Sequence, residues 1–217
     1  IFGTGNANGS FTVDRSNGVA LGLRGKLRHN ASGAPENTFN SNGDGSYSFD
    51  AGVAPTQSFP TAVWSFEWSI NSNFNGDSRF FLNDLTYELG LDTDSGLGVN
   101  YGTLLGGLAN PFDPINGINP ATLGVQWDHA IGNNATGNGG GTSISNSTNN
   151  PSGYANLIAE NNVAQNSWKP HWFIDGFDPT VDGQYDFYLE AFDEAGSSVA
   201  RTDISIIVGT GADSVPE

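Results

Sequence analysis

A chain of 217 residues without a cysteine or a methionine excludes a disulfide framework, a thiolate zinc site and a cysteine nucleophile. Its 7 Lys plus Arg stand against 23 Asp plus Glu, and the formal charge of −16 repels nucleic-acid phosphates and anionic membrane surfaces. No apolar run approaches the ~20 residues that span a bilayer, and a first residue Ile1 instead of Met leads us to expect a trimmed, exported chain. With 30 Gly, 14 Phe and only 14% charged residues, the composition suits a turn-rich β protein with aromatic anchors better than a helical one.

In chain order, "IFGTGNANGSFTV" (1–13) opens with Ile1 and Phe2 and reads as a strand able to add to a neighbour's sheet. "VALGLRGKLRHN" follows: Leu21, Leu23 and Leu27 share one face, while Arg24, Lys26 and Arg28 share the other. That basic stripe has two readings. One is an outward face paired with acids of an adjacent strand; the other is a self-association patch that docks on the acidic surface of a second copy.

"FNSNGDGSYSFDAG" sets Asn40, Asn42 and Asp44 at alternate positions before Gly45, the opening half of a calcium loop. The closing Glu is missing, and a turn leading into a strand at Tyr47 and Phe49 is the plainer reading. "TAVWSFEWSI" alternates Ala62, Trp64, Phe66, Trp68 and Ile70 against Ser65, Glu67 and Ser69, and is the clearest strand in the chain. "RFFLNDLTYELGL" predicts another strand over 79–91. Asp92 and Asp94 in "GLDTDSGLG", with Asp113 in "NPFDPING", are further candidate calcium ligands; turn formation is the alternative.

"LGVQWDH" gives a shorter strand candidate, and the polar, Gly-rich run over 132–153 reads as an exposed loop. "PSGYANLIAENNVAQNSW" predicts one short helix with Tyr154, Leu157 and Ile158 inward and Ser152 as its cap. "WKPHWF" offers Trp168, Trp172 and Phe173 either as an aromatic shelf for sugar rings or as a plug at one end of the fold. "GQYDFYLEAFDEAG" turns and returns through Thr202, Ile204, Ile206 and Val208 as a closing hairpin. Asn-Gly pairs beginning at 8, 17, 42, 75, 116 and 138 mark tight turns between several of these segments.

These elements predict an all-β fold: one antiparallel β-sandwich, Ig-like or jelly-roll-like, over residues 1–212. One short helix and long Gly/Asn-rich loops decorate it, in an excursion over about 92–180. A hydrolase would need two carboxylates facing a cleft, but alternation sets Glu67 on the face opposite Trp64 and Trp68. The three histidines show no metal-ligand spacing, Asp128 and His129 are an isolated pair, and no Ser stands in a nucleophile-elbow context. No catalytic residue is assigned.

The segments "LGLRGKLRHNASGAPENTFNSNGDGSYSFDAG", "PTAVWSFEWSIN", "ATGNGGG" and "QNSWKPHWFIDGFDPTVDGQYDFYLEAFDEAGSSVARTDISIIVG" resemble exported bacterial proteins that carry a PEP-CTERM sorting signal. "VPE" at 215–217 matches the start of that signal, which makes 213–217 its expected remnant. The resemblance implies processing by an exosortase, a cell-surface or matrix location and association with exopolysaccharide, and no defined active site. Residues 181–208 are also similar to the last strands of bacterial Ig-like or cadherin-like modules. The expectation is a non-enzymatic structural protein of a surface layer, filament or biofilm matrix, self-associating and calcium-stabilised. Its partners would be further copies and exopolysaccharide, with no nucleic acid and, once the sorting helix is gone, no membrane. A secreted carbohydrate-binding module is the alternative.

Overall fold

A computed structural model describes residues 9–36, 38–76, 78–116, 130–137, 140–143 and 150–211. Along the chain run β1 (Thr12–Ser16), β2 (Val19–Leu27), β3 (Ser46–Phe49), β4 (Trp64–Asn71) and β5 (Thr86–Leu91). After these come β6 (Ala130–Gly132), β7 (Thr142–Ser143), the helix α1 (Pro151–Glu160), β8 (Val163–Trp168), β9 (Gly183–Phe192) and β10 (Ser198–Val208). The strands form a six-stranded sheet, β1-β2-β4-β8-β6-β7, and a four-stranded sheet, β3-β10-β9-β5. All pairs are antiparallel except β3 with β10. The predicted sandwich is the observed fold.

Alternation produces the two layers. On β4, Trp64, Phe66, Trp68 and Ile70 point inward and are 0–1% exposed. Trp64 and Phe66 meet Tyr185 and Phe187 of β9 across the sandwich, with the Trp64 and Tyr185 rings 5.8 Å apart and those of Phe66 and Phe187 5.1 Å, while Trp68 packs on its sheet neighbour Trp168 at 5.3 Å. Each such side chain contributes about 1.5–3 kcal/mol by leaving water, so this aromatic seam dominates the core. Close layering needs a gap, and Gly25 supplies it, because a Cβ there would sit 2.6 Å from Phe49 and 2.9 Å from Ile206. The β1–β2 hairpin turns at Asn17 (φ 52°) and Gly18 (φ 79°), the two positive angles of a two-residue hairpin turn.

Some expectations change. Only 86–91 of the predicted strand over 79–91 is extended; Leu82–Asp84 is a single 3-10 turn that buries Leu82. The region over 92–180 is not a mere decoration, since β6, β7 and β8 complete the six-stranded sheet. The helix forms where predicted, but Asn150 caps it through the Gly153 amide (3.0 Å), with Pro151 at its first turn. The strand candidate at 123–129, Asp128, His129, Ile1, Phe2 and the 213–217 remnant lie outside the described residues.

Candidate functional site

β1, β2, β4 and β8 have an inner face that builds the core and an outer face that does not. Register assigns the outer face: Arg15 opposes Ala20, Arg24 opposes Glu67 and Lys26 opposes Ser65, with Ser167 beyond Glu67 and Gln165 beyond Ser69. Lys169 still has extended backbone (φ −85°, ψ 137°), and one step past the Phe66–Trp168 pair it stands opposite Ser65. With Arg28 at the end of β2, five of the seven cations in the chain occupy this face. Glu67 is the one carboxylate among its described strand residues. An acidic protein thus has one cationic side.

The middle of that side is sealed. Glu67 is completely buried and bridges Arg24, whose Nε donates to Oε2 at 2.6 Å, and Lys26, whose Nζ lies 3.2 Å from Oε1. The Arg24 guanidinium lies between the rings of Phe11 (3.9 Å) and Phe39 (3.8 Å) and donates to the Gly9 carbonyl. Burial pushes both cations below their ordinary values while Glu67 pulls them back up. Arg24 and Lys26 are 0% and 1% exposed, which corrects the outward docking patch expected from the stripe. Alternation had set them away from the core correctly, but residues 9–11 and Phe39 cover that face. Only Arg28 of the three is partly open.

Toward β1, the same face opens into a groove of about 330 Å³. Phe11 and Phe74 supply its aromatic surface, Arg15 lies 5.0 Å over the Phe74 ring, and Ser69, Asn71 and Thr136 line the polar part. An amide network stiffens that wall: Asn71 Nδ2 donates to Asn134 Oδ1 (2.8 Å), and Asn162 Nδ2 donates to Asn71 Oδ1 (2.7 Å) and Asn134 Oδ1 (2.9 Å). Asn134 in turn donates to the Asn73 carbonyl at 2.7 Å. No carboxylate lines the groove among the described residues. Side-chain amides, hydroxyls, a guanidinium and an exposed ring are the groups that bind neutral hydroxylated ligands. The expectation missed these residues because they come from β1, β4, the 72–76 turn and the 133–136 turn, which only the sheet order brings together.

The candidate calcium ligands make hydrogen bonds within their own loops and to neighbouring strands. Asp92 Oδ1 accepts from the Asp94 (3.3 Å) and Asn100 (3.0 Å) amides, and Oδ2 from the Asp186 amide (3.3 Å). Asp94 accepts from the Gly96 amide and the Asn100 side chain. Asp113 accepts from Tyr87, Ile115 and Asn116, and it pins the 113–116 turn to β5. Burial pushes the Asp92 and Asp113 carboxyls up, against these N–H bonds. Asn40 and Asn42 donate into β3, and Asp44 accepts from the Ser46 amide and hydroxyl. These are turn-forming roles, and among the described residues no group of three or more acids or histidines is arranged to hold a metal.

The aromatic shelf divides. Trp168 (2% exposed) and Phe173 (0%) plug the core with rings 4.9 Å apart, whereas Trp172 remains 37% exposed. That burial corrects two of the three expected sugar-stacking residues. Glu67 and Glu88 lie in different sheets, and Glu88 accepts from the Tyr188 hydroxyl (3.0 Å). The outer edge of β1 is tied to β10: Thr202 Oγ1 donates to the Thr12 carbonyl (3.0 Å) and the Arg201 amide to Asp14 (3.0 Å). No protein-family model, no curated protein and no solved structure matches the chain.

Proposed function

We propose that this is a non-catalytic extracellular glycan-binding protein that holds polysaccharide in the outer groove of its six-stranded sheet. The observation that carries the reading is that groove: a rigid amide wall beside an exposed Phe74, on a face with cations and a single, neutralised carboxylate. Sugar rings present hydroxyl groups to amides and C–H faces to aromatic rings, and a site without free acids suits retention over hydrolysis. The resemblance to exported, surface-sorted proteins supplies the location, a bacterial surface or matrix, and the polysaccharide as partner. The expected self-assembly loses one support, because Arg24 and Lys26 are buried.

The test is a panel of immobilised bacterial and plant polysaccharides, read for retention of the wild type and of Phe74→Ala. Phe74 is 43% exposed, so its truncation leaves the core intact. Retention of the wild type and loss of about tenfold or more in the variant support the reading, a scale set by one aromatic contact and its ordered neighbours. Retention that is indifferent to Phe74→Ala, or no retention at all, removes it.

A further inference from the structure

The cationic face continues past the sealed row to the end of the sandwich. There the Arg28 and His29 amides both donate to the Val63 carbonyl, at 2.7 and 2.9 Å. Two residues opposing one is a β-bulge, which breaks alternation and keeps His29 beside Arg28. Lys169 stands two strands away on the Ser65 row of β4, the next row to that of Val63 on this face, and its Nζ lies 5.8 Å from the centre of the Trp172 ring. The His171 ring meets Trp172 edge-on at 6.1 Å. Lys169 and Arg28 press on His29, and Lys169 on His171; among the described residues no carboxylate acts on any of the three.

Two hydrogen-bonding atoms at this corner are unsatisfied. His29 is 7% exposed, and its Nδ1 lies 3.1 Å from the Gly33 carbonyl. A carbonyl only accepts, so Nδ1 carries the proton and Nε2 is left with a lone pair. Among the described residues that Nε2 is buried without a partner, and so is Nδ1 of His171. An unpartnered buried polar atom is destabilising, and a ligand with a matching group recovers that loss.

We infer that the Arg28–His29–Lys169–His171–Trp172 corner is a subsite for an acidic sugar unit of an anionic polysaccharide. Each group finds its match in one ring: a carboxylate or sulfate for the two cations, a hydroxyl donor for the His29 lone pair, and a C–H face for the exposed Trp172. The inference deepens the glycan reading but uses none of the groove residues, so the two fail separately. It also explains how a chain of charge −16 would hold a polymer of its own sign, by confining the contact to the one side where cations gather.

Calorimetric titration of the full chain with an oligogalacturonate, and with its fully methyl-esterified, uncharged counterpart, tests the assignment. The wild type is expected to prefer the acid form. Arg28→Gln with Lys169→Gln is expected to weaken the acid form about tenfold or more while leaving the ester unaffected, and Trp172→Ala to weaken both. Circular dichroism confirms that each variant folds, and His29→Gln supplies a second, independent loss. Equal affinity for acid and ester, or acid binding indifferent to the double substitution, overturns the inference. So does sedimentation in which the double substitution abolishes only self-association, which would assign the corner to a second copy. Phe74→Ala reports on the groove in the same titrations.

Discussion

Glu67→Gln removes one negative charge from the most deeply buried ionic cluster among the described residues. Glu67, Arg24 and Lys26 are 0%, 0% and 1% exposed, so the substitution leaves two cations in a water-excluded layer with no counter-charge. Breaking a buried ionic cluster in this way costs about 3–5 kcal/mol, out of a total near 5–15 for a domain. At about 2–4 °C per kcal/mol for a chain of this size, Tm should fall by about 10 °C. Lys26→Met is the control, since Arg24 and Glu67 remain paired through the 2.6 Å bond, and its expected cost is about 1 kcal/mol. Urea denaturation with unchanged m-values measures both. A Glu67→Gln loss below about 1 kcal/mol, or one no larger than that of Lys26→Met, would refute the argument, because the cations would then have to reach water.

Other consequences are as direct. Gly25→Ala should destabilise by about 1–3 kcal/mol, since its Cβ would collide with Phe49 and Ile206 in the core; thermal denaturation without a shift toward lower stability would contradict the packing. Burial first, with Lys169 acting on both and Arg28 on His29, holds the two imidazoles below their ordinary value. The folded chain then binds fewer protons than the unfolded one between those lowered values and about 6.5. Stability from these groups is therefore present above about pH 6.5 and lost as pH falls through that window, a loss that His29→Gln with His171→Gln should reduce in denaturation at pH 7.5 and 5.5. Asp113→Ala should release the 113–116 turn from β5 and cost about 1–3 kcal/mol, a loss that urea denaturation measures; a rise in wild-type Tm with added calcium would support the metal reading of Asp92, Asp94 and Asp113.

The layers were legible because alternation is a local property. Trp64, Phe66 and Trp68 declared the inner face of β4, and Tyr185 to Ala191 that of β9, from spacing alone. The side of β2 that carries Arg24 and Lys26 was legible too, but its burial was not. That depends on Phe11 and Phe39, distant in sequence, folding over it. Alternate acids such as Asp92 and Asp94 look alike whether they face an ion or their own loop amides, and only the backbone path around Asn100 and Asp186 decides between these. The groove and the basic corner were not legible, because they join β1, β4, β8 and their turns through a strand order, β1-β2-β4-β8, that no single segment encodes. Trp172 could be named, whereas Lys169 and His29 could not, since a register and a bulge set their position.

Glycan binding is assigned to the outer face of the six-stranded sheet. Amide chemical-shift mapping of the isotope-labelled chain, titrated with an acidic oligosaccharide that the chain retains and with its neutral form, tests it most directly. Shifts are expected at Ser69, Asn71, Phe74, Thr136, His29 and Trp172 for both ligands, and at Arg28 and Lys169 for the acidic one alone. Shifts confined to the opposite sheet, around Asp186 and Asp203, or none at saturating oligosaccharide, would contradict it.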